Sequence, residues 1–395
     1  MKNFIFISPN FPENYWRFCC HLRDNGFNVL GIGDCEYYNL LPQLKQSLTE
    51  YYKVSNLSNY EEVFRAVAFF TFRYGKIDWL ESNNEYWLER DAHLRTEFNI
   101  NTGFRDGDMK KVKLKSEMKR YYNMAGIKTA RYCLVTSKEE CKRFIAEVGY
   151  PVIVKPDNGV GASDTHRLCS DGDLEHFFNT KLPVSYIMEE YIDATVNSYD
   201  AIVNSRGEPI FETGNVTLGS LMDVVNTGDS SMFYIVNRPF DDVRDAGRRA
   251  LKAFGVKSRF VHFEFFRLNR DQHIGKKGEV VALEVNMRPS GGISPDMMNY
   301  ANSTDVYKIW ADMVAFDGSQ KGTGERFYCA FVGRRDGKPY VHGDDEIYGR
   351  YAENLKICQR VPHALSGAMG DRMFVANFKT KEGLDEFYKF ATQCF

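Results

Sequence analysis

The chain has 395 residues, 43% hydrophobic and 14% aromatic, with a formal net charge of -2. Such a length calls for two or three packed units, and the near-neutral charge lacks the basic footprint of a nucleic-acid binder. Nine cysteines with no CxxC spacing argue against a zinc site or disulfide framework and for a reducing, cytoplasmic setting, and no apolar run is long enough for a signal peptide or a membrane span.

In chain order, FIFIS at 4–8 reads as a buried strand. A loop with Pro9 and Pro12 follows, then a helix from Tyr15 to Asn25 closed by Gly26, and a strand from Asn28 to Gly33. This βαβ opening predicts a parallel sheet. The turn PNFPEN lacks the GxGxxG that cradles a dinucleotide, which disfavours an oxidoreductase. Glu61–Tyr74 and Asn84–Glu97 read as helices, and the polar stretch around Gly107 as a boundary.

Residues 109–126 read as one basic helix ending at Gly126, with most of its lysines solvated and one turned into a cleft. A strand at Tyr132–Val135 leads to Ser137 and Glu140, whose capping-box spacing starts a helix that ends at Gly149. The strand PVIVKP then carries Lys155, a charge that is costly among apolar neighbours unless it meets an anion. The loop DNGVGASDT, 157–165, can bring backbone N–H groups close to phosphate, although a plain hairpin turn is its commoner use. With His166–Cys169 returning as a strand, it reads as a flap.

YIMEEYI, 186–192, reads as a strand entering a connection between lobes, where backbone groups and apolar side chains could hold an adenine. Asn197–Val203 and Pro209–Thr217 read as a hairpin, 218–231 as a mobile loop on the substrate side, and Asp242–Phe254 as a helix. Two strands follow, Arg259–Leu268 and Val280–Met287, joined by a polar connection that favours antiparallel pairing. Alternation puts Glu264 on one strand, and Glu284, Asn286 and Arg288 along the other, on a common face. Leu283, Val285 and Met287 take the apolar face. Two carboxylates and an amide oxygen form an oxygen cage suited to Mg²⁺. Arg288 suits an anion that develops charge beside the metal, and His262 reads as packed or hydrogen-bonded, not ligating. Tyr300–Phe316 is a helix, 318–324 a linker, and 326–395 an α/β tail without a readable motif.

Taken together, Lys115 on a helix, Lys155 ending a strand, the small-residue loop, EEYI, Glu264 and Glu284-Val-Asn286-Met-Arg288 resemble the ATP-grasp superfamily. Within it, the chain is similar to stand-alone carboxylate–amine ligases, including those that join amino acids, and to carbamoyl-phosphate-synthase-like proteins. The resemblance covers roughly residues 110–315 and, more loosely, what precedes them. It implies an N-terminal parallel-sheet α/β domain over 1–108 and a two-lobed α+β ATP-grasp domain over 109–317, with lobes 109–190 and 191–317. A small α/β portion over 318–395 completes the chain.

The implied activity is an ATP-dependent ligase that makes an acylphosphate from a carboxylate and passes it to an amine or another nucleophile. A carbamoyl-phosphate-synthase- or carboxylase-like enzyme and a non-catalytic nucleotide-binding regulator are the alternatives. Carried over residue by residue, Lys115 and Lys155 contact ATP phosphates, and Gly159, Gly161, Ala162 and Ser163 cover them. Glu189, Glu190, Tyr191 and Ile192 form the adenine hinge, and Asn197 lies near the ribose. Glu264, Glu284 and Asn286 hold Mg²⁺, or Mn²⁺ in its place, and Arg288 steadies the acylphosphate. Partners are a small carboxylate and an amine, without nucleic acid or membrane, and a homodimer is left open. Three departures stand out. Leu114 precedes Lys115 where the family often has Asp, so Lys111 and Lys113 compete for its role; Asn197 replaces an acidic residue; and PSGGISPD after Arg288 is unlike biotin carboxylases.

Overall fold

The computed structural model describes residues 1–159, 164–219 and 229–395. Strands β1 (Lys2–Ile7), β2 (Phe27–Gly33), β3 (Glu50–Lys53) and β4 (Trp79–Glu81) form a parallel sheet in the order β3-β2-β1-β4. Alternation along β1 feeds two cores. Phe4 and Phe6 pack toward helix Trp16–Asp24, while Ile5 and Ile7 pack toward helix Tyr60–Tyr74. Both faces are covered, as a parallel sheet requires. Part of the first cover comes from far along the chain: Trp310 lies edge-on to Phe4, Phe6 and Phe18.

A second sheet contains β5 (Tyr132–Leu134), β6 (Val152–Pro156), β7 (His166–Leu168) and β8 (Tyr186–Glu190), antiparallel in the order β5-β8-β6-β7. Helices Lys138–Val148 and Asp171–Thr180 back it. Ser137 caps the first of these by accepting the Glu140 N–H, as the sequence spacing requires.

The third sheet is antiparallel and nine-stranded. It comprises β9 (Ala194–Val203), β10 (Pro209–Thr213), β11 (Asn215–Leu218), β12 (Ser231–Ile235), β13 (Arg259–Leu268), β14 (Val280–Asn286), β15 (Tyr328–Arg334), β16 (Leu355–Arg360) and β17 (Arg372–Phe378). Helices Lys115–Met124 and Asp241–Phe254 pack on the face that carries Val261, Phe263 and Phe265. Gly247 permits this, since a Cβ there would lie 2.2 Å from the Tyr199 ring. The three strands of the motif-free tail join this same sheet, β15 pairing with β12.

Four elements differ from the sequence expectation, the first being Pro209–Thr217, which breaks at Gly214 into β10 and β11. The basic helix 109–126 is two helices, Met109–Lys113 and Lys115–Met124, broken at Leu114 (φ -87, ψ 116). The break is filled by Asp157, whose carbonyl accepts the Lys115 N–H and whose carboxylate accepts the Ser116 N–H and hydroxyl. Tyr300–Phe316 is likewise split into Ser294–Asn302 and Val306–Phe316, because Ser303 turns left-handed at φ 45 and Asp305 caps the second helix. Asn84–Glu97 opens with a short 3-10 turn, Glu85–Trp87, before helix Leu88–Glu97.

Candidate active site

Strands β13 and β14 pair so that Glu264 faces Glu284 and His262 faces Asn286. The register then shifts, with Phe265 opposite Ala282. Leu283 is the extra residue of this bulge. Expected on the apolar face, it is only half-buried, and Ala282 packs in the core instead. A bulge beside a site re-aims side chains, and here it keeps Glu284 and Asn286 on the face of Glu264. Lys115 Nζ lies 3.3 Å from Glu284 Oε1 and donates to the Gly159 carbonyl at 3.2 Å.

Behind Glu264 stands a buried relay. His262 hydrogen-bonds Asp200 at 2.8 Å through Nδ1 and Glu264 at 3.0 Å through Nε2, and Ser198 Oγ bonds Asp200. Burial opposes a charge on His262, but the two carboxylates outweigh it and push its pKa up to about 9. The His262 contact likewise outweighs burial at Glu264 and holds that carboxyl below its ordinary value. Glu284 is pushed the other way, by burial and by facing Glu264, with Lys115 as partial relief. Among the described residues no three His, Cys, Asp or Glu side chains converge on one point. The set is two carboxylates and one amide, all hard oxygen donors, with one carboxyl short of positive charge. That fits Mg²⁺ completed by water and phosphate oxygens.

Arg288 follows on the same strand end. Its Nη2 lies 3.4 Å from Asn286 Oδ1 and its Nε 3.8 Å from Glu85 Oε2. Glu85 also takes Lys113 at 2.8 Å, and Asp108 takes Lys111 at 2.8 Å. Of the three competing lysines, Lys115 is thus the one at Glu284. Gly292 has φ +61, and a Cβ on it would lie 3.0 Å from Met369 Sδ, so the tail helix His363–Met369 closes over this turn. Asn14 reaches it from the short 3-10 turn Glu13–Tyr15 after β1, donating to the Gly292 carbonyl at 3.3 Å and to Asp296 at 2.7 Å.

On the hinge side, Glu189 and Glu190 point to opposite faces of β8. Glu189 is held by Lys119 at 2.7 Å on one oxygen and by Lys155 at 2.9 Å on the other. Burial alone would raise its pKa, yet the two ammonium groups lower it to about 2. Glu190 turns away to Arg131, which it holds through the backbone N–H, Nε and Nη2. It lines a cavity of about 590 Å³ that includes none of Lys115, Lys155 or Glu284. Tyr191 stacks under the Arg167 guanidinium at 4.6 Å, and Ile192 packs with Ala130, Leu268 and Val281. Asn197 pairs with Phe265, so its side chain takes the helix-packed face and donates to Thr195 O; Ser198 takes the face of Glu264.

Gly159 sits beside Lys115, whereas Gly161, Ala162 and Ser163, and most of the loop 218–231, lie outside the described residues. The structure therefore groups Lys115, Gly159, Glu264, Glu284, Asn286 and Arg288, with Lys155 paired to Glu189 and still attracted by Glu284 and Glu264. It does not bring the side chains of Glu190 or Asn197 to them. Lys119, Asp157 and Glu85 were missed in the sequence. Lys119 had a signal, since it lies one helical turn from Lys115.

No family model matches the chain. The L-arginine-specific L-amino acid ligase of Bacillus subtilis is 24% identical over 240 residues, 58% of this chain and 56% of that protein. The carbamoyl phosphate synthase large chain of Rubrobacter xylanophilus is 26% identical over 193 residues, 45% of this chain and 16% of that protein. The chain thus spans well under two thirds of these curated relatives. Among solved structures, the L-amino acid ligase from Bacillus licheniformis superposes with a TM-score of 0.71 at 14% identity, covering 98% of this chain and 96% of that one. The ADP complex of purK, N5-carboxyaminoimidazole ribonucleotide synthetase, gives a TM-score of 0.71 at 14% identity, covering 98% and 95%. What the chain shares with these structures is the ATP-grasp fold.

Proposed function

We propose that the chain is an ATP-dependent ligase that activates a carboxylate as an acylphosphate and couples it to an amine. The observation that carries this is the facing pair Glu264–Glu284, with Lys115 beside it and Arg288 two residues beyond Asn286. A pure binder has no need of an arginine at that point. Glu264, Glu284 and Asn286 would hold Mg²⁺, or Mn²⁺, which supplies charge neutralisation for phosphate oxygens.

In this reading, Lys115 and Lys155 bind the nucleotide phosphates and Glu189 faces the adenine end. Tyr191 and Ile192 form the connection beyond it, and Glu190 serves the hinge through its backbone. A substrate carboxylate oxygen attacks the γ-phosphorus and ADP leaves. Arg288 places its planar fork on the transferring group. The amine nitrogen then attacks the acyl carbon, phosphate departs, and the nitrogen gives up a proton. Amino acids are the favoured substrates, in line with the ligases named above.

The test is ADP and phosphate release with Mg²⁺ and pools of amino acids. Release that depends on a carboxylate and an amine together supports the reading; ATP bound but never turned over with any pool would leave a nucleotide-binding regulator. Similarity to carbamoyl phosphate synthase favours a second reading, which bicarbonate-dependent ATP turnover would distinguish. Nine free cysteines suit a cytoplasmic setting, and sedimentation would test for a homodimer.

A further inference from the structure

The helix Lys115–Met124 carries Lys115 and Lys119 one turn apart on one face. They reach carboxylates in different sheets: Lys115 goes to Glu284 on β14, and Lys119 to Glu189 on β8. Lys119 is 4% exposed, and a lysine this buried persists only when paired. Its Nζ is 2.7 Å from Glu189 Oε1 and lies over the Tyr132 ring at 5.4 Å. The other oxygen of Glu189 is held by Lys155 at 2.9 Å. One carboxylate is therefore shared by two ammonium groups, and Glu284 and Glu264 also attract the Lys155 charge.

We propose that Lys119 is a positioning residue for nucleotide binding, which by holding Glu189 Oε1 leaves Lys155 with N–H groups to spare for a phosphate oxygen. An ammonium has three donors and no acceptor. With Lys119 in place, Lys155 donates to a single oxygen of Glu189. Without Lys119, both oxygens of Glu189 turn to Lys155 and take up more of its N–H groups, so an arriving phosphate finds fewer donors there. The inference rests on the ATP-dependent reading above and adds to it a residue that never touches the nucleotide itself.

The experiment is calorimetric titration of the full chain with ADP in the presence of Mg²⁺, which needs no acyl substrate. Lys119→Met is expected to weaken ADP binding by about tenfold or more. Lys119→Arg, which keeps the charge and the reach, should return it to within about threefold. Because Lys119 acts through Glu189, the same Lys119→Met change in a Glu189→Gln background should move ADP affinity by less than about threefold. Thermal melts of each variant establish that it is folded. Wild-type affinity in Lys119→Met, or an equal loss in both backgrounds, overturns the inference and leaves the ligase reading standing. A wild-type chain that binds no ADP overturns both.

Discussion

Glu189 and Glu284 are both buried carboxylates that meet lysine, yet their surroundings are opposite. Glu189 has an ammonium on each oxygen, and its pKa falls to about 2. Glu284 has one lysine at 3.3 Å and another carboxylate opposite, and its pKa is raised. Glu189 is fully paired within the protein alone. Glu284 is raised by burial and faces a like charge in Glu264, which a divalent cation would relieve. One end of the cleft is built to be stable and the other to be filled.

The largest test of that contrast is to neutralise each carboxylate in the absence of divalent cations. Glu189→Gln strands two buried ammonium groups and should lower the unfolding free energy by about 3–5 kcal/mol. Glu284→Gln relieves a like-charge pair and should leave stability unchanged or raise it. Equal urea midpoints for the two variants would erase the difference. Acid sharpens it. A depressed carboxyl contributes stability that is present above its unfolded pKa of 4.5 and lost as pH falls toward about 2. The advantage of wild type over Glu189→Gln should therefore shrink across that window, whereas Glu284, whose pKa is raised, gains stability as it protonates.

The next effect separates binding from turnover. Arg288→Lys should bind ADP within about threefold of wild type but release phosphate on the order of a hundredfold more slowly. Retained affinity together with retained turnover removes Arg288 from the reaction. A third test fills the incomplete end directly. Mg²⁺ at about 100 times its dissociation constant should stabilise wild type by about 2.7 kcal/mol. Thermal melts should show no such gain in Glu284→Gln, and a chelator should abolish it in wild type.

The smallest effect concerns the joint between the two ends. Asp157→Ala removes the cap that starts the helix carrying Lys115 and Lys119, and should cost about 1 kcal/mol. Asp157→Asn should recover most of it, and faster hydrogen exchange at Ser116 is the local readout. Unaltered exchange there would show that the cap does not hold the helix start.

Alternation made the facing of Glu264 and Glu284 legible, because Glu264, Glu284, Asn286 and Arg288 lie on or next to two adjacent strands with a short connection and a simple face rule. The bulge at Leu283 was not legible, yet it preserved the faces of the residues that matter. The hinge end was harder. Glu190 is claimed by Arg131, a residue 59 positions away, and no local pattern announces such a pairing. Asn197 was misplaced because β9 starts at Ala194, which puts Ser198 and Asp200 on the site face. Lys119 was read as part of a solvated lysine-rich face, since helical periodicity does not tell which polar stripe meets a second sheet. The first tail strand, β15, pairs with β12 across nearly a hundred residues, beyond the reach of motif reading.

The seat of Trp310 against Phe4, Phe6 and Phe18 bears on how a ribosome delivers this chain. The first sheet is complete at Glu81. Its aromatic face must nevertheless wait for a helix that emerges roughly ten to fifty seconds later, at about 5–20 residues per second. The edge of β12, exposed from Ile235, waits for Tyr328–Arg334, which emerges after that helix. Nascent chains halted in that interval expose an apolar face and an unpaired strand together. Shielding by a chaperone during synthesis, and poor recovery of forms that stop short of Trp310, follow from where one tryptophan sits.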